Sequence, residues 1–234
     1  MNGAVILSGG AGSRFGAGAP KQYRELAGRP VIVRTMEALQ RCPAVEHIVV
    51  VAETEWREPV LGWAERFGVT KLRKLAPAGK DRQHSILNGL LALEGLLTGP
   101  EDGVVIQDAA RPLTSQELLA RLLLGLHDAP AVLPVVPVTD TVYTSGDGQW
   151  VNGIPDRAAL YAGQAPEAFR FGDYLSLYRN TPAERLSALS GSCQLPYQAG
   201  WKVKMIEGEA ENRKLTYPMD WTICQLILKE REEC

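Results

Sequence analysis

The feature that most constrains this chain is a short apolar strand that runs directly into a glycine-rich loop. The strand covers Ala4–Leu7, and five glycines follow it before residue 19. Glycine lacks a Cβ, so the backbone can turn through positive φ and pass close to a ligand. Successive N–H groups can then converge on anionic oxygens. Because the loop also carries the cations Arg14 and Lys21, the pattern predicts a polyphosphate site.

Three interpretations of this loop compete. A dinucleotide fingerprint needs a helix directly at the loop and an acid about 20 residues further on. Here Pro20 and the glycines delay the helix to about Pro30, and the acid after the second strand, Glu53, lies too far away. A P-loop must end in Gly-Lys-Ser/Thr, which is not present. The third interpretation is a surface loop with scattered charges.

Strand and helix patterns alternate from Ala4 to Val136, which favours a parallel sheet with helices on both faces. His47–Ala52 is an apolar β-branched run typical of a buried parallel strand. Apolar spacing predicts helices over Arg82–Leu97 and near Ala168–Tyr178. The 234 residues suffice for one large α/β domain, and we expect a single domain over residues 1–234.

The pattern changes after Val136. Val138–Tyr143 and Gln149–Ile154 alternate around Ser145-Gly-Asp-Gly148, which predicts a β-hairpin. Its position outside the strand–helix rhythm indicates an arm that projects at about residues 138–158. A hairpin that packs on its own domain is the alternative.

Composition excludes several classes of function. The net charge of −2 gives no general affinity for nucleic acid or for an anionic membrane. No apolar run approaches the length of a membrane span, and we expect no signal peptide before the first strand. The four cysteines form no C-x-x-C pair, so we expect reduced thiols, no zinc site and a cytoplasmic location.

The loop and the sequence after it carry a family resemblance. Gly-Gly-x-Gly-x-Arg-Phe followed by Pro-Lys-Gln-Tyr resembles the polyol-phosphate cytidylyltransferases, which include a methylerythritol-phosphate branch and a ribitol-phosphate branch. The resemblance implies a Rossmann-like nucleotidyltransferase fold and transfer of a cytidylyl group from CTP to a polyol phosphate, with release of pyrophosphate. It also implies Mg²⁺, a homodimer clasped by the arm, and a role in isoprenoid or teichoic acid biosynthesis.

Several residues match the family's nucleotide site. The resemblance assigns catalytic roles to Arg14 and Lys21. It assigns cytosine recognition to the segment that begins at Gly79, and it makes Asp108 a ligand of Mg²⁺. The residues expected to bind the nucleotide are Ser8, Gly9, Gly10, Ala11, Gly12, Ser13, Gly79, Arg82, Ser85, Asp108 and Ala109.

Other matches concern the acceptor and the end of the chain. Thr141 and Arg157 match arm residues that bind the acceptor phosphate, in the neighbouring subunit's site. Lys214 matches a catalytic lysine in the family's Asp-Asn-Ile-Lys-x-Thr motif. Glu211 replaces the aspartate of that motif and is a candidate second acid beside the metal.

The sequence departs from the family in places. Gln107 stands where a histidine is usual, Arg213 replaces an apolar residue, and the family's Gln-Thr-Pro-Gln-x-Phe ends here in Glu-Ala-Phe169. A Thr-Asp pair is replaced by Ser190-Gly191, so an acid is missing.

These departures leave the acceptor open. The stretches around Tyr161 and Tyr178 resemble the ribitol-phosphate branch, whereas Ser85 and Ala109-Ala110-Arg111 fit the methylerythritol-phosphate branch. On balance the resemblance slightly favours ribitol 5-phosphate over 2-C-methyl-D-erythritol 4-phosphate. The missing acid keeps a second hypothesis open, a non-catalytic CTP-binding or regulatory protein. An NAD(P)-dependent oxidoreductase is the weaker alternative.

Overall fold

The computed structural model describes residues 1–10 and 18–233. The strands in chain order are β1 (Asn2–Leu7), β2 (Glu25–Leu26), β3 (Arg29–Pro30), β4 (His47–Ala52), β5 (Leu72–Pro77), β6 (Gly103–Asp108), β7 (Ala131–Pro137), β8 (Tyr161–Gly163), β9 (Glu167–Arg170) and β10 (Val203–Glu207). The α-helices are α1 (Val31–Arg41), α2 (Thr54–Arg66), α3 (Arg82–Leu93), α4 (Gln116–Leu124), α5 (Phe171–Arg179), α6 (Ala183–Ser187), α7 (Gln194–Gln198) and α8 (Pro218–Glu233).

The central sheet has the order β10-β7-β9-β6-β1-β4-β5, and β8 also pairs with β7. The strands from β6 to β5 are mutually parallel, as are β10 and β7. β9 runs antiparallel to both β6 and β7, and so joins the two parallel groups. The mostly parallel α/β sheet predicted from the sequence is therefore confirmed.

Helices cover both faces of the sheet because side chains alternate along each strand. Ala4 and Ile6 of β1 face one apolar cluster, which includes Met36 and Leu39 of α1. Val5 faces the other cluster, where α3 and α5 pack. A third cluster lies under α8 and includes Leu26 and Cys224. None of the helices in the described part of the chain combines the length and apolar character that crossing a bilayer requires.

Two predicted helix boundaries are wrong. α3 ends at Leu93 rather than Leu97 because Gly95 adopts a φ of 82°, a left-handed conformation that commonly ends helices. The helix predicted near Ala168 begins only at Phe171. The preceding residues form β9, whose short antiparallel strand has no periodicity of its own to reveal it.

The arm is exposed but contains no regular strands in the predicted places. Its two sides meet at one bridge, between Thr144 and Gly153. The turn between them is held by Asp147, whose carboxylate accepts the N–H groups of Gln149 and Trp150. A two-stranded hairpin with no core to cover is only marginally stable, which explains why the alternating pattern does not produce a ladder here.

Candidate active site

The site lies where the parallel strands end at one edge of the sheet, the usual ligand position in such folds. A cavity of about 480 Å³ opens between the ends of β1, β5 and β6. Every described residue that the sequence assigns to catalysis or nucleotide binding lines it: Ser8, Gly9, Gly10, Lys21, Gly79, Arg82, Ser85, Asp108, Ala109 and Lys214. Ala11, Gly12, Ser13 and Arg14 lie outside the described residues.

The start of the glycine loop is fixed by hydrogen bonds that converge on Ser8. Its hydroxyl donates to the Val51 carbonyl at 2.7 Å. The Gln22 side-chain amide donates to the carbonyls of Ser8 and Gly10, at 2.6 and 2.9 Å. Tyr23 donates its hydroxyl to the Ser8 carbonyl and stacks on Trp56 with ring centroids 4.0 Å apart. The residues after the loop therefore hold its first turn in place.

The opposite wall of the cavity is the loop before α3. A Cβ at Gly79 would lie 2.5 Å from backbone and side-chain atoms of His84, so only glycine fits there. The Gly79 N–H donates to the Ser85 hydroxyl at 2.9 Å, which closes the loop onto the helix. Asp81 caps α3 by accepting the His84 N–H at 2.9 Å. The predicted cytosine-reading segment is thus a closely packed turn joined to the start of α3 by hydrogen bonds.

Asp108, the last residue of β6, sits among three cations. Its carboxylate lies 2.8 Å from Lys214, 3.4 Å from Arg82 and 3.7 Å from Arg111. Burial raises the pKa of Asp108, but Arg82, Lys214 and Arg111 outweigh that effect and hold the pKa well below its usual range. Asp108 is therefore an ionised, buried carboxylate at the edge of the cavity.

A second cavity, of about 690 Å³, adjoins the first. Arg111, Gln164, Asn212 and Arg213 line it, and Lys214 lines both cavities. Lys214 therefore stands at the junction between the predicted nucleotide site and a neighbouring space.

The remaining predicted residues lie elsewhere in this chain. Thr141 and Arg157 are exposed on the arm, where Arg157 donates to the Thr139 carbonyl at 2.9 Å. Glu211 pairs with Arg231 of α8 at 2.6 Å. The structure does not bring the arm residues into the first cavity, and the Glu211 carboxylate is engaged by the closing helix.

The departures from the family pattern have visible structural roles. The Gln107 side chain is buried and donates to the Thr114 hydroxyl at 2.7 Å. Arg213 lies 3.8 Å from Asp220, which also accepts the backbone N–H of Thr216. Gln107 thus braces the strand end, and Arg213 joins the segment that carries the predicted catalytic lysine to the start of α8.

Sequence reasoning missed three contributors to the site. Gln22 lies within the quoted Pro-Lys-Gln-Tyr motif, but its spacing does not reveal that it braces the loop. Arg111 is not among the residues assigned to the site from the sequence, yet it contacts Asp108 and borders the second cavity. Glu167 lies 3.9 Å from Arg82 and was noted only as a departure, because its contacts come from distant parts of the chain.

Comparisons with known proteins agree with this geometry. The chain matches the family described as "IspD: 2-C-methyl-D-erythritol 4-phosphate cytidylyltransferase" over residues 3–230. A 2-C-methyl-D-erythritol 4-phosphate cytidylyltransferase of Geobacter metallireducens is 34% identical over 97% of each chain. A ribitol-5-phosphate cytidylyltransferase of Streptococcus agalactiae is 31% identical over 99% of this chain and 97% of its own length.

The fold agrees as well. The crystal structure of 4-diphosphocytidyl-2C-methyl-D-erythritol synthase from Anaerococcus prevotii superimposes with a TM-score of 0.81 at 25% identity, and covers 98% of this chain and 96% of its own. The leaning towards ribitol 5-phosphate is not supported by these comparisons, since the matching family is the methylerythritol-phosphate one. The chain belongs to the 2-C-methyl-D-erythritol 4-phosphate cytidylyltransferase (IspD) family, and is a CTP-dependent cytidylyltransferase that acts on a polyol phosphate.

Proposed function

We propose that this enzyme joins CTP to 2-C-methyl-D-erythritol 4-phosphate, giving the CDP-linked methylerythritol and pyrophosphate. The match to that family along nearly the whole chain supports this acceptor. The observation that carries the transfer chemistry is the position of Lys214 at the junction of the two cavities. A cation there can contact the α-phosphate of CTP in one cavity and the acceptor phosphate in the other.

The reaction needs no protein nucleophile. An oxygen of the acceptor phosphate forms a bond to the α-phosphorus, and the bond from that phosphorus to the oxygen that bridges it to the β-phosphorus breaks. Pyrophosphate leaves with the negative charge. The acceptor phosphate is already an anion, so the enzyme's main task is to position two anions and to neutralise their charge.

The described cations suit that task. Lys21 and Lys214 line the first cavity, and the backbone at Gly9 and Gly10 follows the apolar strand as in anion-binding loops. We assign Lys21 to the triphosphate and Lys214 to the charge that develops at the α-phosphorus. Arg14, with Ala11, Gly12 and Ser13, remains a predicted contributor on the basis of the loop's sequence.

The chemistry of Asp108 fits a magnesium ion. Mg²⁺ is usually held by one or two carboxylates together with substrate phosphates, and Asp108 offers one ionised carboxylate at the cavity edge. Among the described residues, no group of three or more metal-ligating side chains forms a ready-made cage. Asp108 would therefore share the ion with the phosphates of CTP. Glu211, expected from the sequence as a second acid, is instead paired with Arg231 of α8 and lines neither cavity. When bound, Mg²⁺ neutralises phosphate charge and favours the departure of pyrophosphate.

The arm is proposed to act in a homodimer. It exposes Tyr143, Trp150, Val151 and Ile154, with 58 to 74% of each residue accessible, and exposed aromatic residues are enriched at protein interfaces. Docking of this arm on a second copy would cover that apolar surface. It would also bring Thr141 and Arg157 to the partner's second cavity, where a guanidinium is suited to bind the acceptor phosphate.

The identity of the acceptor is tested by measuring pyrophosphate release in reactions that contain CTP and Mg²⁺. Parallel reactions contain either 2-C-methyl-D-erythritol 4-phosphate or ribitol 5-phosphate. We expect a higher kcat/KM with the methylerythritol phosphate. A reaction without acceptor measures simple hydrolysis of CTP and is the control. A higher kcat/KM with ribitol 5-phosphate would overturn the assigned acceptor, and no turnover with either would overturn the proposed function.

A further inference from the structure

Glu167 is a buried residue of β9 that lies beside Arg82, which lines the first cavity. The residue is 8% exposed and pairs in register with Ile106, two residues before Asp108. Its Oε2 atom lies 3.9 Å from Nη2 of Arg82 and has no hydrogen-bond partner. Burial raises the pKa of Glu167, and the charge of Arg82 is the strongest influence that lowers it. Since unpaired buried carboxylates are costly, the ion pair with Arg82 is the main interaction that favours the charged form of Glu167.

Arg82 is shared between two carboxylates. The same nitrogen, Nη2, lies 3.4 Å from Asp108 and 3.9 Å from Glu167. Its other terminal nitrogen donates to the Ser192 hydroxyl at 2.7 Å. The guanidinium therefore connects the first turn of α3 to β6, β9 and the turn before α7.

That turn is the place where the family's acid is missing. Gly191 precedes Ser192 directly, and its carbonyl accepts the Gln83 side-chain amide at 3.1 Å. A Cβ at Gly191 would meet no atom within 4 Å, so the turn has room for a side chain. The position that lacks a carboxylate is thus adjacent to a residue that binds Arg82.

We propose that Glu167 is a positioning residue that supplies, from β9, the carboxylate missing at Gly191, and that it thereby limits how far Arg82 neutralises Asp108. The inference rests on the proposed function, because its consequence concerns CTP and Mg²⁺ at Asp108. Three cations surround Asp108. Glu167 draws one of them towards β9, which leaves Asp108 with more unneutralised charge for a metal ion.

The substitution Glu167→Gln tests this because it removes the charge and keeps the shape of the side chain. Isothermal titration calorimetry measures CTP affinity with and without Mg²⁺, and the ratio of the two Kd values gives the gain due to the ion. We expect that gain to fall about tenfold in the variant, a coupling typical of contacting residues. Introducing Gly191→Asp into the same variant should restore the gain to within about threefold of the original.

The matched control is Glu94→Gln, which removes an exposed ion pair with Arg179 next to the other end of α3. It should leave the gain unchanged. An unchanged gain in the folded Glu167→Gln variant, or no recovery with Gly191→Asp, would overturn the proposal. If the Glu167→Gln variant alone does not fold, circular dichroism shows whether the double variant does. Recovery of folding in the double variant supports the proposal, and failure of the double variant to fold overturns it. These titrations contain no acceptor, so lack of turnover in the unaltered enzyme would count against the proposed function alone.

Discussion

Nζ of Lys214 lies 2.8 Å from Oδ2 of Asp108, which joins the end of β6 to the segment before α8. The carboxylate is buried, whereas the lysine side chain is 43% exposed and borders both cavities. Asp108 thus orients a cation whose other face is open to ligands. This pair connects the parallel sheet, which sequence patterns predict well, to the chemistry proposed for the site.

The role of Lys214 predicts a large loss of turnover in Lys214→Gln. Removing one preorganised donor of charge stabilisation typically costs about 100-fold or more in kcat, and we expect a loss of that size in steady-state pyrophosphate release. The fold should remain intact because the side chain is half-exposed. Lys204→Gln, which alters a surface ion pair with Asp128, is the matched control. A kcat within about threefold of the original in Lys214→Gln would contradict the catalytic role.

Because Asp108 is shared by three cations, we expect its replacement to lower the stability of the fold as well as the activity. Asp108→Asn leaves Arg82, Arg111 and Lys214 without their shared carboxylate. Breaking a buried ion pair by removing one partner typically costs about 3 kcal/mol or more, and urea unfolding should show a loss of that order. The exposed Asp128→Asn should change the free energy of unfolding far less. Equal unfolding midpoints for the two variants would contradict the structural role of Asp108.

The contacts of the Asp81 carboxylate predict a specific dependence of the stability of the fold on pH. Burial raises its pKa, but hydrogen bonds from the His84 backbone and side chain and from Ser187 outweigh it and lower the pKa to about 2. A lowered carboxyl pKa stabilises the fold above the ordinary value near 4, and this contribution is lost as the pH falls from about 4 to about 2.

The substitution Asp81→Asn isolates that contribution, because asparagine caps a helix as well as aspartate does. The original protein should be more stable than the variant at pH 6, by about 1 kcal/mol after allowance for solvent screening of this partly exposed group. Urea unfolding at a series of pH values should show the difference shrinking below pH 4. A difference that is constant with pH would contradict the assigned cause.

If the arm joins two subunits, dimer formation should depend on its most exposed aromatic residue. Trp150 is 74% exposed, and Trp150→Glu places a charge in the proposed interface. We expect its solution mass, measured by sedimentation, to shift from dimer to monomer at micromolar concentration. Tyr197→Glu is the matched control, since Tyr197 is equally exposed on α7. A monomeric original protein, or an unchanged dimer in Trp150→Glu, would contradict this arrangement.

The sequence predicts well where local pattern and burial agree. The run His47–Ala52 forms β4 with the predicted bounds, because β-branched apolar residues suit a strand covered on both faces. The start of the glycine loop at residues 8–10, the turn at Gly79 and Asp108 meet in one cavity because parallel strands end at the same edge. Those parts of the site follow from topology alone.

Contacts between distant segments account for what the sequence did not predict. The β9 strand owes its existence to pairing with β6 and β7, and neither partner is visible in its own four residues. The balance of charge around Arg82 depends on Asp108 and Glu167, which lie on neighbouring strands. For the arm the prediction fails in the opposite direction. Its alternating sequence predicts strands, but such strands would have no buried face to stabilise them.

In the proposed reaction, the cytidylyl group passes directly from CTP to the acceptor phosphate. The most direct test uses CTP that carries a sulfur atom of known configuration on the α-phosphorus, with 2-C-methyl-D-erythritol 4-phosphate as acceptor. A single in-line displacement predicts inversion of configuration at that phosphorus in the CDP-linked product. Retention would show two displacements through a covalent enzyme intermediate, and would contradict the mechanism proposed for this site.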